Sequence, residues 1–211
     1  MAQYETEEEQ VKAIKDWWKE NGRSVIAGVV IGVAGLVGWK GWDAYQEQQS
    51  LAASDRYQAM RTAILSQNLE AVIQQAGELK DNYSSTPYAS LGALLLAKAH
   101  AIKGDQLATV ENLQWVIDNG KQDSLQGLAK LRLARVYIAQ DELDRAQSLV
   151  DQDYPLAYKS LLAEIRGDLL ARQGNLAAAR SAYDEAISSA GEEDVAYLRM
   201  KRDNLGVTSN S

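Results

Sequence analysis

The stretch Ser24 to Trp39, SVIAGVVIGVAGLVGW, has no charged residue and lies between Arg23 and Lys40. A helix that is apolar all round belongs either in a protein core or in a bilayer. This one reaches only about 24 Å, against roughly 30 Å of hydrocarbon. Arg23 and Lys40 make up the difference by burying their stems while their charges reach the headgroups. Trp17 and Trp18 stand before one end and Trp39 and Trp42 at the other, where amphipathic rings favour the membrane interface. A core helix is seldom bracketed this way. A cleaved signal peptide would end its apolar run in small residues, and this run ends in Gly-Trp-Lys-Gly-Trp. The expectation is one transmembrane helix over residues 23–42.

Within the span, Gly28, Gly32 and Gly35 fall on one helical face. Gly28 and Gly32 make a G-x-x-x-G pair, which lets a second helix approach closely. Membrane helices also tolerate glycine in general, and the pattern does not separate self-pairing from docking onto another membrane protein. Lys12, Lys15, Lys19 and Arg23 precede the span, whereas Lys40 and Arg56 follow it closely. That bias places the amino terminus in the cytoplasm and the long carboxyl-terminal part on the outer face. Residues 6–20 read as an amphipathic helix, with Thr6 and Glu9 as a capping box and Val11, Ile14 and Trp18 on one face. Such a helix suits the lipid surface or plain exposure. Asn21-Gly22 reads as a break before the span. The expected organisation is a cytoplasmic arm (1–22), the transmembrane helix (23–42), a helical domain (43–205) and a flexible tail (206–211).

The part beyond the span is long enough for one domain with a real core. Residues 1–42 hold five cations and six acids of the chain's 22 and 29, so the rest carries 17 against 23. That acidic balance argues against a nucleic-acid partner, which requires a basic face. With no cysteine, the chain has neither a disulfide nor a thiolate metal site, which suits an oxidising space without proving one. Two prolines, no phenylalanine and abundant alanine and leucine favour an all-α fold.

Residues 43–66 continue a helical pattern, Leu69 to Leu79 reads as a second helix, and Asn82 to Pro87 is the strongest turn signal. From there the chain repeats. Tyr88–Lys103 and Gln106–Ile117 are helices about the Gly104-Asp105 turn. Leu125–Ala139 and Leu143–Val150 flank Gln140 to Glu142. Tyr158–Arg172 and Leu176–Ser189 flank Gly174-Asn175. The turns recur after 37 and then 33 residues, near the tetratricopeptide period of about 34. Each helix pair cannot bury its apolar face alone, so the pairs stack into a curved α-solenoid. The third pair fits best, with Gly167, Leu170, Ala179, Tyr183 and Ala186 as its packing set. The second places Leu133, Ala134, Tyr137, Ala146 and Val150 alike. In the first, His100 and Thr109 replace an aromatic and an alanine. Residues 43–82 are at best a degenerate fourth unit, and Glu193 to Leu205 a capping helix.

No motif here carries catalysis. The one histidine falls on a packing position, acidic pairs such as Asp141-Glu142 and Glu192-Glu193 sit at turns or helix starts, and no phosphate-binding glycine loop is present. The expectation is a non-enzymatic binding module without metal or cofactor. In tetratricopeptide solenoids the first helix of each pair lines the concave face. In that register the candidate groove is Leu91, Leu94, Lys98, Leu128, Leu131, Arg135, Ile138, Leu161, Glu164 and Asp168. An apolar face with isolated charges suits an extended or helical peptide. A register error of one residue would put several of these leucines inside.

Glu20-Asn21-Gly22, the span closing in Gly38-Trp39-Lys40-Gly41-Trp42, Leu131 to Arg135, Gly174-Asn175 with Ala179 to Ala182, and Lys201 to Leu205 together resemble the YfgM family of ancillary subunits of the bacterial SecYEG translocon. The resemblance implies a type II inner-membrane protein with a periplasmic tetratricopeptide domain. Its implied partners are the SecYEG translocon, a PpiD-like membrane-tethered periplasmic chaperone and nascent secretory chains. It also implies a link to control of an envelope-stress response. A homo-oligomeric membrane scaffold is the alternative.

Overall fold

The computed structural model describes residues 7–191 and 195–206. Thr6, Glu192, Glu193 and the tail from residue 207 onward lie outside the described residues. The chain divides into two units, Met1–Gln49 and Ser50–Ser211, and each is taken by itself.

In the first unit the described residues all belong to helix α1, Glu7–Leu65. The helix does not break at Asn21-Gly22, contrary to the sequence reading. Asn21 turns its side chain inward, and Nδ2 donates to the Trp17 carbonyl at 3.1 Å. The Trp18 ring lies against Gly22, so a Cβ there would stand 3.3 Å from Trp18 Cε2. The two residues that favour a turn are thus held in helical register by the turn before them. Among the described residues this is the one helix long and apolar enough to cross a membrane. Its apolar side chains, Val29, Val30, Ile31, Leu36 and Val37 among them, are exposed.

The second unit is a stack of helix pairs. The carboxyl-terminal part of α1 pairs with α2 (Leu69–Asn82), α3 (Pro87–Ile102) with α4 (Gln106–Asn119), α5 (Asp123–Ala139) with α6 (Leu143–Val150), and α7 (Lys159–Arg172) with α8 (Leu176–Ser189). Helix α9 (Val195–Asn204) packs on α8. A short 3-10 turn, Leu156–Tyr158, leads into α7. Small side chains at the crossings let the helices meet closely. Ala53, Met60, Val72, Ala76 and Leu79 close the first pair against Ala89 and Leu96 of α3. A larger cluster, including Ala97, Leu113, Leu133, Ala146, Ile165 and Leu169, runs from α3 to α7. Ala163, Ala186 and Leu198 seat α9. Each fully buried Leu or Ile removes apolar surface worth about 1.5–3 kcal/mol.

The residues at the hairpin turns make the repetition explicit. Gln67, Gly104, Asp141 and Gly174 all have positive φ, between 56° and 80°. After each, the next amide reaches back to the carbonyl five residues earlier: Asn68 to Ala63, Asp105 to His100, Glu142 to Tyr137 and Asn175 to Leu170. That bond and the left-handed residue form a Schellman closure, which satisfies the last carbonyls of the first helix. Asn68, Asp105 and Asn175 then cap the second helix, accepting from the amides of Ala71, Ala108 and Ala178. Glu142 makes no such cap. The segment read as a degenerate fourth unit is therefore a full helix pair, closed by the same turn as the others. The replacements in the α3/α4 pair are accommodated. Thr109 is buried, with its hydroxyl donating to Asp105 O at 2.7 Å, and His100 Nδ1 lies 3.1 Å from Asp105 Oδ2.

A Cβ at Gly174 would meet nothing within 4 Å, so its substitution isolates the backbone term. Gly174→Ala is expected to lower stability by about 1 kcal/mol, and Gln67→Gly to raise it by about 0.5–1 kcal/mol. Urea unfolding of the detergent-solubilised chain, followed by helical circular dichroism, reads both signs.

Candidate functional site

Counting back from the left-handed turn residue gives every first helix a common register. The sixth position back holds Arg61, Lys98, Arg135 and Asp168. The first three are exposed, and Asp168 is partly buried. The tenth position back holds Leu94, Leu131 and Glu164 in α3, α5 and α7, and all three are buried. Leu131 is therefore a core residue and not a groove residue, which corrects the sequence reading, while Leu94, 4% exposed, shows only an edge at the floor of a hollow. A first helix packs against helices on both sides, so its buried arc is wider than an amphipathic stripe, and the tenth position falls inside it. Leu91, Leu128, Ile138 and Leu161 are partly buried, the last three packed against the core from outside. What remains open on this face is Lys98, Arg135 and the edges of those four apolar side chains.

Two hollows lie along it. One, of about 680 Å³, is lined by Arg135, Ile138, Glu164, Asp168, Tyr183 and Lys201, with Tyr197, Arg172, Ala139 and Ala171 at its margin. The other, of about 310 Å³, is lined by Leu94, Lys98, Leu113, Arg132, Arg135 and Val136, with Ala97, Ala101 and Thr109. Four of the predicted groove residues, Arg135, Ile138, Glu164 and Asp168, meet in the first. Lys98, Leu94 and Arg135 meet in the second.

The first hollow is built around an ion cluster. Arg135 Nη2 donates to Glu164 Oε2 at 2.7 Å, and Lys201 Nζ to Glu164 Oε1 at 2.9 Å. Lys201 also pairs with Asp168, and Tyr183 Oη donates to Asp168 Oδ1 at 2.7 Å. The ammonium lies 5.6 Å from the Tyr183 ring centroid and 5.4 Å from that of Tyr197. Burial works against the Lys201 charge, but the bonds to Asp168 and Glu164 outweigh it, and its pKa ends above the ordinary value. Burial and the bond to Asp168 push the Tyr183 phenol up as well. Carboxylates on α7 thus hold α9 in place. Lys201 and Tyr197 were not expected at the site, because α9 lies far along the chain from α5 and α7 and its register is not that of a repeat; Tyr183, expected only as a packing residue of α8, also brings its hydroxyl to the site.

The Lys201 side chain is only 19% exposed and that of Asp168 only 20%, so removing the cation leaves Asp168 with the Tyr183 hydroxyl alone, while Glu164 keeps Arg135. Lys201→Met is expected to cost about 2–3 kcal/mol in urea unfolding. The unfolded chain releases the Lys201 proton near 10.5, and the folded chain holds it longer. The contribution is complete below that pH and is lost as pH rises beyond it; Tyr183 acts in the same sense from 10.0 upward. Wild-type stability should therefore fall more steeply above pH 10 than that of Lys201→Met.

A sequence profile described as a tetratricopeptide repeat-like domain matches residues 15–207. A Haemophilus influenzae protein named "Ancillary SecYEG translocon subunit" is 29% identical, covering 94% of this chain and 97% of its own length. An Escherichia coli protein of the same name is 29% identical over 97% of this chain and 98% of its own length. A third, from Neisseria gonorrhoeae, is 28% identical over 97% of this chain and 100% of its own length. No solved structure matches the chain at a significant level. A repeating turn that closes four helix pairs and a profile match over nearly the whole chain lead to one conclusion: the chain belongs to the tetratricopeptide repeat-like domain family.

Proposed function

We propose that the chain is a non-enzymatic accessory subunit of the SecYEG translocon, anchored in the bacterial inner membrane by residues 23–42. Its amino-terminal arm lies in the cytoplasm, and the helical domain from about residue 43 lies in the periplasm. There it links emerging secretory proteins to a membrane-tethered, PpiD-like chaperone. The observation that carries this reading is likeness over almost the full length of both chains to proteins named as ancillary translocon subunits, the apolar segment included. The four cations that precede the span support the orientation. In the bilayer, Gly28, Gly32 and Gly35 are the face on which a neighbouring helix docks; a Cβ at any of them would meet nothing within 4 Å in the chain itself. Tethering confines the solenoid to a shell at the translocon exit and raises the effective concentration of weak contacts.

The test is photo-crosslinking in living cells from probes at Gly32 and at Lys98. Capture of translocon subunits at Gly32, and of a chaperone or secretory chain at Lys98, is the expected result. Capture of only further copies of the chain at both positions would replace the accessory subunit with a self-assembling scaffold. The double variant Gly28→Leu/Gly32→Leu should lower co-purification of the translocon roughly tenfold while leaving the unfolding of the helical domain unchanged. Unchanged co-purification would remove the glycine face from the docking contact.

A further inference from the structure

The equivalent position six residues before the turn holds a cation in three successive helix pairs: Arg61, Lys98 and Arg135. All three are exposed. In the fourth pair that position is Asp168, which is engaged by Lys201 and Tyr183. Among the described residues Arg61, Lys98 and Arg132 enter no ion pair, and Arg135 bonds one nitrogen to Glu164. Between Lys98 and Arg135 opens the smaller hollow, whose lining has three cations and no carboxylate over Leu94, Leu113 and Val136. Arg132 lines it half-buried, and burial together with repulsion from Arg135 holds its pKa below the ordinary value. Three positive charges are thus gathered at one hollow, that of Arg132 half-buried, on a chain whose net charge is −7. Left alone, that arrangement is unfavourable, and an arriving anion relieves it.

We propose that the row Arg61, Lys98 and Arg135, with Arg132 beside it, is the docking site for an acidic segment of a protein partner, which sets its carboxylates on the cations and one apolar side chain in the hollow. The inference rests on the binding-module reading above and names the chemistry of its ligand. Spacing, charge and the apolar floor select this occupant. Lys98 on α3 and Arg135 on α5 border one hollow; packed helices in general lie about 8–10 Å apart, and an extended chain advances about 10 Å in three residues. A segment with an acidic residue at every third position therefore keeps step with the row. A terminal carboxylate brings a single charge, too few for four cations. The apolar floor favours a peptide over a nucleic acid, which the acidic remainder of the domain would repel.

The test uses the full chain in detergent and a fluorescein-labelled, carboxyl-amidated peptide with Glu at every third position and Leu and Ala between. Its control carries Gln in place of Glu. Anisotropy at low salt should show the acidic peptide binding at least about tenfold tighter, with the gap closing in about 0.5 M salt. Lys98→Gln/Arg132→Gln should weaken the acidic peptide about tenfold and leave the Gln peptide unchanged. Lys98→Gln alone, at an exposed position, should weaken the acidic peptide severalfold and keeps the readout if the double variant does not fold. Equal affinity of the two peptides for the wild-type chain, or an unchanged affinity in the folded double variant, would overturn the proposal. A Gln peptide with a free carboxyl terminus that matched the acidic one would overturn it in favour of a terminal carboxylate. Translocon capture from Gly32 is read separately. Its failure with peptide selectivity intact removes the translocon assignment and keeps the basic row, and the opposite result does the reverse.

Discussion

The close approach of α7 and α8 at Gly167 is the contact on which the carboxyl-terminal half of the site depends. A Cβ at that position would stand 2.6 Å from Tyr183 Cε1 and 2.7 Å from Cδ1, inside any tolerable contact. The tyrosine ring fills the space a side chain would take and is itself buried beside Ala179 and Ala186. Its hydroxyl can then reach Asp168, Asp168 holds Lys201, and Lys201 brings α9 onto the stack. The same economy of volume recurs at Gly92, where a Cβ would lie 2.7 Å from Leu79 Cδ1, and more loosely at Gly127 beneath Tyr158. Shape at the crossings fixes where the charged groups end up.

That order of cause explains what the sequence revealed and what it hid. Helix spans and turns were legible because Gly104 and Gly174 break a strong helical pattern at nearly regular spacing. The pair formed by α1 and α2 was obscured because its turn uses Gln67, a residue that seldom takes positive φ, with Asn68 supplying the cap. Leu131 looked like a groove residue because a first helix touches neighbours on two sides, and periodicity alone does not say how wide the buried arc is. The ion cluster was illegible in a different way. It joins Arg135, Glu164 and Lys201, and the last comes from 37 residues beyond Glu164 on a helix outside the repeat. Asn21-Gly22 misled because a turn propensity of about 1 kcal/mol is small beside a long helix and the indole laid over the glycine.

The two charge patterns on the first helices have opposite uses. Where a carboxylate occupies the common register, at Asp168, and another the buried tenth position, at Glu164, the charges are matched and hold the fold. Where cations occupy that register, at Arg61 and Lys98, they have no intramolecular counter-charge among the described residues. A contact built on such groups is weak and salt-sensitive in dilute solution. It becomes effective when the partner is held nearby, as the proposed anchor at a translocation site would hold it.

Sidedness is the most direct test of this account, since both halves depend on it. The chain has no cysteine, so a single Lys98→Cys or Gln10→Cys substitution gives an unambiguous label site. A membrane-impermeant maleimide applied to intact cells with a permeable outer membrane should label Lys98→Cys at once, and Gln10→Cys only after the inner membrane is opened. Protection of Lys98→Cys with immediate labelling of Gln10→Cys would place the solenoid in the cytoplasm and contradict the account.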